Sequence, residues 1–188
     1  MKILANIEFY NAPAGKVELR DCDGVRTYKE EDVEITNAMF SRVESDYPEA
    51  FKALCEKYKA SRHNIPYFKY KVVLCFIRCN FGRYDNQDDI DSAGNFHFEY
   101  VACPQEGECP WYNIICNPKF NTKLSIRENE IMRLMVVNGL GVGEVAERLF
   151  LSIDTIRTHK RNAMQRVGVH SFSEFVDYAH RNKIFKED

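Results

Sequence analysis

No apolar stretch of this chain approaches the ~20 residues that a bilayer-spanning helix needs. The N-terminus, Met1-Lys2-Ile3-Leu4-Ala5-Asn6-Ile7-Glu8, reaches an acid too early for an export signal. A cytoplasmic protein with no membrane partner is therefore expected. Internal repeats and low-complexity tracts are missing, which excludes solenoids and arrays. Paired acids after the first apolar segment are missing too. Residues 3–10 are followed by Asn11-Ala12-Pro13, which argues against a phosphorylatable receiver domain. There is no phosphate loop and no nucleophile-base-orienter arrangement. Cys79 with His97 is the kind of pair that could supply nucleophile and base, but no catalytic site is expected.

What is present describes a globular chain. Its 188 residues suit one ordinary domain plus a small one. A composition of 45% hydrophobic, 13% aromatic and 29% charged residues can bury a real core. Seven cysteines in a chain expected in a reducing compartment point to free thiols or a metal site, not a disulfide framework. The net charge of -2 hides an asymmetry: from Lys119 onward there are 12 Lys and Arg against 9 acids, and before it 14 against 19. Only the C-terminal piece has the sign that suits a polyanion.

The pattern along the chain predicts an α+β N-terminal domain over residues 1–102. Residues 3–10 and 16–20 look like short strands joined by a turn at 11–15, with a second turn at 21–24. Met39, Phe40, Val43, Tyr47, Phe51, Leu54 and Tyr58 recur at helical spacing, and Pro48 could start a second helix. Residues 67–79 and 95–102, rich in aromatic and β-branched types, are expected to pair as a long hairpin closed by the polar stretch 82–94. A cysteine-rich knuckle and linker follows over 103–120, and a helical domain over 121–188.

That last domain can be read in detail. Ser125-Ile126-Arg127-Glu128 is a capping box that starts a helix, and Gly139 stands where a left-handed residue would end it. Val142, Val145, Ala146 and Leu149 mark a short second helix. Ser152 is an N-cap candidate for a third, whose buried stripe is Ile156, Ala163, Met164 and Val167. Val169, Phe172, Phe175, Val176 and Ala179 give a fourth, capped at Ser171 or Ser173. A short helix, a tight turn and a longer helix with a basic outer face is the geometry that seats a helix in the major groove.

The run Leu124-Ser125-x-Arg127-Glu128, then Glu144-Val145-Ala146-x-x-Leu149-x-x-Ser152-x-x-Thr155-Ile156-Arg157-x-His159, then Gly168-Val169-His170-Ser171, closely resembles the LuxR/FixJ-type helix-turn-helix. Val142-Gly143 and Arg166-Val167 depart from that pattern without threatening the fold. The resemblance implies an all-α four-helix domain whose third helix reads double-stranded DNA and whose fourth commonly forms a homodimer contact. By position, it implies groove contacts at Arg157, Thr158 and Arg161 and phosphate contacts at Arg127, Ser152, Thr155 and Lys160. Arg157 and Arg161, four apart, share a helix face. An arginine can hold guanine bidentately, while hydroxyls at a helix start suit phosphate. More loosely, Arg78-Cys79-Asn80-Phe81-Gly82 and Cys103-Pro104-x-x-Gly107-x-Cys109 resemble regulators encoded on mobile elements of Bacteroidetes.

The function expected is a sequence-specific transcriptional regulator, with the N-terminal domain sensing, dimerising or docking a partner such as RNA polymerase. A sigma-factor-like promoter module and a protein-interaction module are the alternatives. Cys103, Cys109 and Cys116 lie among prolines and glycine in a segment too irregular to build its own core. With Cys79 as a fourth ligand they would make a structural zinc site. An iron–sulfur cluster and plain reduced thiols remain open, because the spacing is not C-x2-C repeated.

Overall fold

The computed structural model describes residues 3–12, 15–85, 87–182 and 184–185, and divides the chain into Met1–Lys119 and Phe120–Asp188. In the first unit, β1 (Glu8–Ala12), β2 (Lys16–Asp21) and β3 (Gly24–Thr27) form an antiparallel meander in the order β1-β2-β3. The register places Phe9 opposite Leu19 and Leu19 opposite Arg26. The period of two sends Phe9, Val17 and Leu19 to the buried face. The first strand, expected over 3–10, starts only at Glu8 and takes in Asn11 and Ala12 of the expected turn at 11–15, because these pair with Val17 and Lys16; Pro13 and Ala14 lie outside the described residues. β3 starts within the stretch read as a turn, because Asp21 pairs with Gly24 and so closes a two-residue hairpin.

Two helices occupy the segment of helical spacing: α1 (Val33–Asp46) and α2 (Pro48–Lys57), with Pro48 in the first turn of α2. A 3-10 turn (Lys59–Ser61) leads to α3 (Ile65–Asn80). Here the expected strand 67–79 is wrong. Asn64 caps the helix by accepting from the Tyr67 N–H at 3.3 Å, Pro66 stands in its first turn, and Phe68, Val72, Val73, Phe76 and Ile77 recur at three and four. Aromatic and β-branched composition favours a strand, but the 3.6 period decides which face is apolar, and here it prevailed. Residues 95–102 are correspondingly not a strand of a hairpin. They run irregularly alongside, tied by an isolated bridge from Ile90 to Phe96 and by the Glu99 N–H to Asn80 carbonyl bond of 3.0 Å.

Aromatic side chains from distant parts of the unit meet in its core. Phe81 stacks on Phe9 at 5.9 Å and meets Phe76 and Phe96 edge-on at 6.2 and 5.8 Å, while Tyr47 stacks on Phe96 at 6.0 Å. Residues 103–116 form a chain of turns. Cys103 carbonyl accepts from Glu106, Gln105 from Cys109, and Trp111 from Ile115.

The second unit is four helices: α4 (Ile126–Val136), α5 (Val142–Leu149), α6 (Ile153–Val167) and α7 (Phe172–Arg181). Ser125 and Glu128 form the capping box in both directions, and Ser152 and Ser171 each accept from an N–H three residues on. Gly139 and Gly168 take the left-handed conformation that ends a helix. Ile131, Met135, Val145, Ala146 and Ile156 form one buried cluster, and Met132, Ala163, Phe175 and Ala179 the other. No helix among the described residues is long and apolar enough to cross a membrane.

Candidate nucleic-acid interface and cysteine cluster

α5 and α6 are joined by Phe150, Leu151 and Ser152. Phe150 adopts a left-handed φ of 54°, and the Leu151 N–H returns to the Ala146 carbonyl at 3.0 Å. That turn packs the half-buried Leu151 against the core and leads directly into α6. On α6, Ile156 and Ala163 point inward, whereas Asp154, Arg157, Thr158, Arg161 and Gln165 are exposed. At 15 residues α6 is about 22 Å long, enough to lie in a major groove about 12 Å wide.

The predicted contact residues sit as follows. Arg157 makes a 3.3 Å ion pair with Asp154, and Arg127 one of 2.6 Å with Glu130. Pairs this exposed are weak and are readily exchanged for another anion. Thr158 and Arg161 are exposed beside Arg157. Ser152 Oγ accepts from the Thr155 N–H at 3.1 Å, and the two hydroxyls are 2.8 Å apart at the start of α6. Lys160 leans away from the outer face, its Nζ 4.4 Å from the centre of the Phe172 ring. The structure thus brings Ser152, Thr155, Arg157, Thr158 and Arg161 onto the free side of α6, with Lys160 at its rim and Arg127 on α4.

One positioning contact was not visible in the sequence. Glu128, buried at 2% exposure, takes the Ser125 N–H at 2.8 Å and the Arg166 Nε at 3.2 Å, so it clamps α4 to α6. Burial alone would raise this carboxyl, but the bonds with Ser125 and the charge of Arg166 outweigh it and hold Glu128 below the ordinary carboxylate range. The capping box gave Glu128 a local role. Its bond to Arg166, 38 residues away, leaves no sequence signal.

The cysteines are less convergent than the motif suggested. Cys79 lies on α3, where its thiol meets that of Cys75 one turn earlier, and Cys116 is near enough to act on it through space. The Cys75 thiol is lowered to about 6 by the Cys79 thiol, with Tyr58 and Lys57 adding to the effect against burial. The hydrogen bond with Cys75, then burial and the Cys75 charge, in turn push Cys79 up. Cys103 and Cys116 are exposed and Cys109 partly so. Among the described residues, only Asp21, Cys22 and Asp23 hold three ligand atoms within 4.8 Å of one another. As arranged, Cys79, Cys103, Cys109 and Cys116 therefore do not share one coordination sphere. His97 bonds Asp91 at 3.2 Å.

The run Arg78-Cys79-Asn80-Phe81-Gly82 has a physical reading in this arrangement. Asn80 Nδ2 donates to the Phe76 and Ile115 carbonyls, both at 2.9 Å, which pins the knuckle beside the end of α3. Phe81 fills the core. A Cβ on Gly82 would sit 2.8 Å from the Val101 side chain, so only glycine lets that segment pass.

Residues 122–179 match the family described as bacterial regulatory proteins, luxR family, so this part of the chain is a luxR-family helix-turn-helix domain. The chain is also similar to proteins described as oxygen regulatory protein NreC from Staphylococcus aureus strains JH9, Mu3 and USA300. Identity is 41% over 63 residues, which is 34% of this chain and 29% of each relative. The chain thus spans less than a third of the length of these curated relatives. No solved structure matches it.

Proposed function

We propose that this protein is a sequence-specific DNA-binding transcriptional regulator. In this reading α6 lies in the major groove with Arg157, Thr158 and Arg161 toward base edges, and Arg127, Ser152, Thr155 and Lys160 meet phosphates. The observation that carries it is the free face of α6: two arginines one turn apart, held by no buried partner, on a helix clamped through Glu128 and Arg166. The luxR-family match over the same residues and the likeness to a regulatory protein support it. Genome-wide footprinting tests the reading directly, with protected sites sharing one sequence motif as the expected result. Arg157→Ala should then weaken binding by ~1–3 kcal/mol and relax base choice at one position. Unaltered affinity and specificity would remove Arg157 from base reading. Lys160→Ala should weaken all sequences alike and lower the salt slope by ~1.

The N-terminal unit then serves sensing, dimerisation or docking to a partner such as RNA polymerase. Its antiparallel meander is unlike the parallel sheet of a receiver domain, which speaks for control other than by phosphoryl transfer. Homodimerisation through α7 would have to use its half-buried Val176 and Phe172, since Phe175 and Ala179 are taken up by the core. Sedimentation showing a monomer both free and on DNA would exclude it.

For the cysteines we propose a structural zinc held by Cys79, Cys103, Cys109 and Cys116, supported by the Asn80 bond to the Ile115 carbonyl, which ties the neighbour of Cys79 to the neighbour of Cys116. Zinc bound by four thiolates would give the knuckle the folding energy that its irregular sequence cannot. The arrangement described here does not gather Cys103 and Cys109, so binding must draw the turns of 103–109 inward. Elemental analysis of protein purified without chelator decides it: one equivalent of zinc, lost in Cys109→Ser, is the expected result. Under about a tenth of an equivalent of zinc or iron means reduced thiols.

A further inference from the structure

Acidic groups are spread through the N-terminal unit with one long gap. Residues 57–84 carry seven Lys and Arg and no Asp or Glu, whereas the rest of Met1–Lys119 carries 8 against 19. The gap spans the end of α2, the 3-10 turn and the whole of α3. A basic face is thereby set into an otherwise strongly acidic domain.

Two of these cations, Lys71 and Arg78, take part in no ion pair among the described residues. Lys71 and Arg78, seven residues apart, fall on one face of α3, with Tyr67 one turn before Lys71. Lys71 Nζ lies 5.5 Å from the ring centres of both Tyr58 and Tyr67, and Lys57 Nζ lies 5.8 Å from that of Tyr58. Among the described residues Lys59 pairs with Glu56 at 2.5 Å, but no ion pair includes Lys57, Lys71 or Arg78. Lys57 does reach the Cys75 thiol. Aromatic rings hold the lysine ammonium groups without neutralising them, so an incoming anion displaces no carboxylate. The opposite face of α3 is filled by Phe68, Val72, Val73 and Phe76, which leaves the basic face outward on a rigid element.

We propose that this face of α3, centred on Lys71 and Arg78, is a second contact with duplex DNA that grips backbone phosphates outside the segment read by α6. The inference rests on the DNA-binding reading above. A duplex is the polyanion that the chain already takes, and lysine, arginine and tyrosine hydroxyl groups suit phosphate. The contact adds affinity and length of footprint, not sequence choice.

The test uses the full chain and a duplex selected by it from a random pool, in two lengths: the sequence motif that the selected duplexes share, and the same stretch with about ten extra base pairs on each side, one helical turn. Affinity is measured across a range of salt concentrations. The wild type should bind the longer duplex with the steeper salt slope. Lys71→Gln combined with Arg78→Gln should lower that slope by about 2 and weaken binding at 0.15 M salt about tenfold, with the short duplex unaffected. Lys71→Arg with Arg78→Lys keeps both charges and should keep the slope. Equal slopes for both lengths, an unchanged slope in the double glutamine variant, or loss of slope in the charge-preserving one would each overturn the second contact while leaving the α6 reading intact. Failure of the wild type to bind any duplex would remove both.

Discussion

Asp89 in the N-terminal unit and Glu128 in the C-terminal unit are both carboxyls withdrawn from water, at 1% and 2% exposure, yet their proton affinities move in opposite directions. Burial pushes Asp89 up to about 8; the Phe9 N–H it accepts at 2.6 Å does not offset this, and Glu99, Glu8 and Asp85 add to it. Glu128 has an arginine and a helix cap and stays low. The difference reflects how each unit is built. The C-terminal domain satisfies its polar groups through local caps and one clamp between residues 38 apart in sequence. The N-terminal unit is held by aromatic packing between residues far apart in sequence, and there the buried Glu8 has Arg20 as its partner while the buried Asp89 has no compensating charge. Burial alone does not set the state of a carboxyl; its partners do.

That contrast can be broken most strongly at Phe81. Phe81→Ala opens a cavity where four rings meet and should cost ~3–5 kcal/mol, unfolding the N-terminal unit while α4 to α7 keep their hydrogen-exchange protection. Loss of protection in both units together would mean that they do not fold separately.

The two carboxyls predict opposite pH responses. Because the folded state keeps the Asp89 proton that the unfolded chain loses near pH 4, Asp89 contributes stability to the N-terminal unit that is complete below the ordinary carboxylate range and is lost as pH rises toward about 8. Asp89→Asn should keep the bond to Phe9, abolish that decline and raise the melting temperature at pH 8. A wild-type unit that grows more stable between pH 5 and 8 would contradict the assignment. Glu128 contributes stability above the ordinary carboxylate range, lost as pH falls through its lowered value.

Glu128→Ala leaves the Ser125 N–H and Arg166 without their acceptor, and should destabilise the C-terminal domain by ~1–3 kcal/mol with little change in the N-terminal unit. An equal loss from Glu128→Gln would show that charge matters more than the hydrogen bonds. The smallest effect is expected at Ser152→Ala, where loss of the α6 cap should cost ~1 kcal/mol in thermal unfolding. A much larger loss in DNA affinity than in stability would mean that the hydroxyl also meets phosphate.

The sequence by itself determined the C-terminal domain almost residue by residue. Ser125, Ser152 and Ser171 mark helix starts through bonds that reach three residues, and Gly139 follows a helix end by its left-handed conformation, so their meaning is complete in a short window. The candidate DNA-contacting face of α6 was legible for the same reason, since a helix face is a matter of spacing. In the N-terminal unit the two strands, and the break at Pro48, were equally local. Only the tertiary structure decided that 67–79 is a helix, because aromatic composition argued for a strand and the packing of Phe76 against Tyr47, Phe81 and Phe96 lies outside any window. It alone showed that Lys160 rests on Phe172, that Arg166 clamps Glu128, and that Asn80 holds the knuckle through Ile115. Each is a contact between residues far apart along the chain, whose chemistry the sequence supplies and whose meeting only the fold arranges.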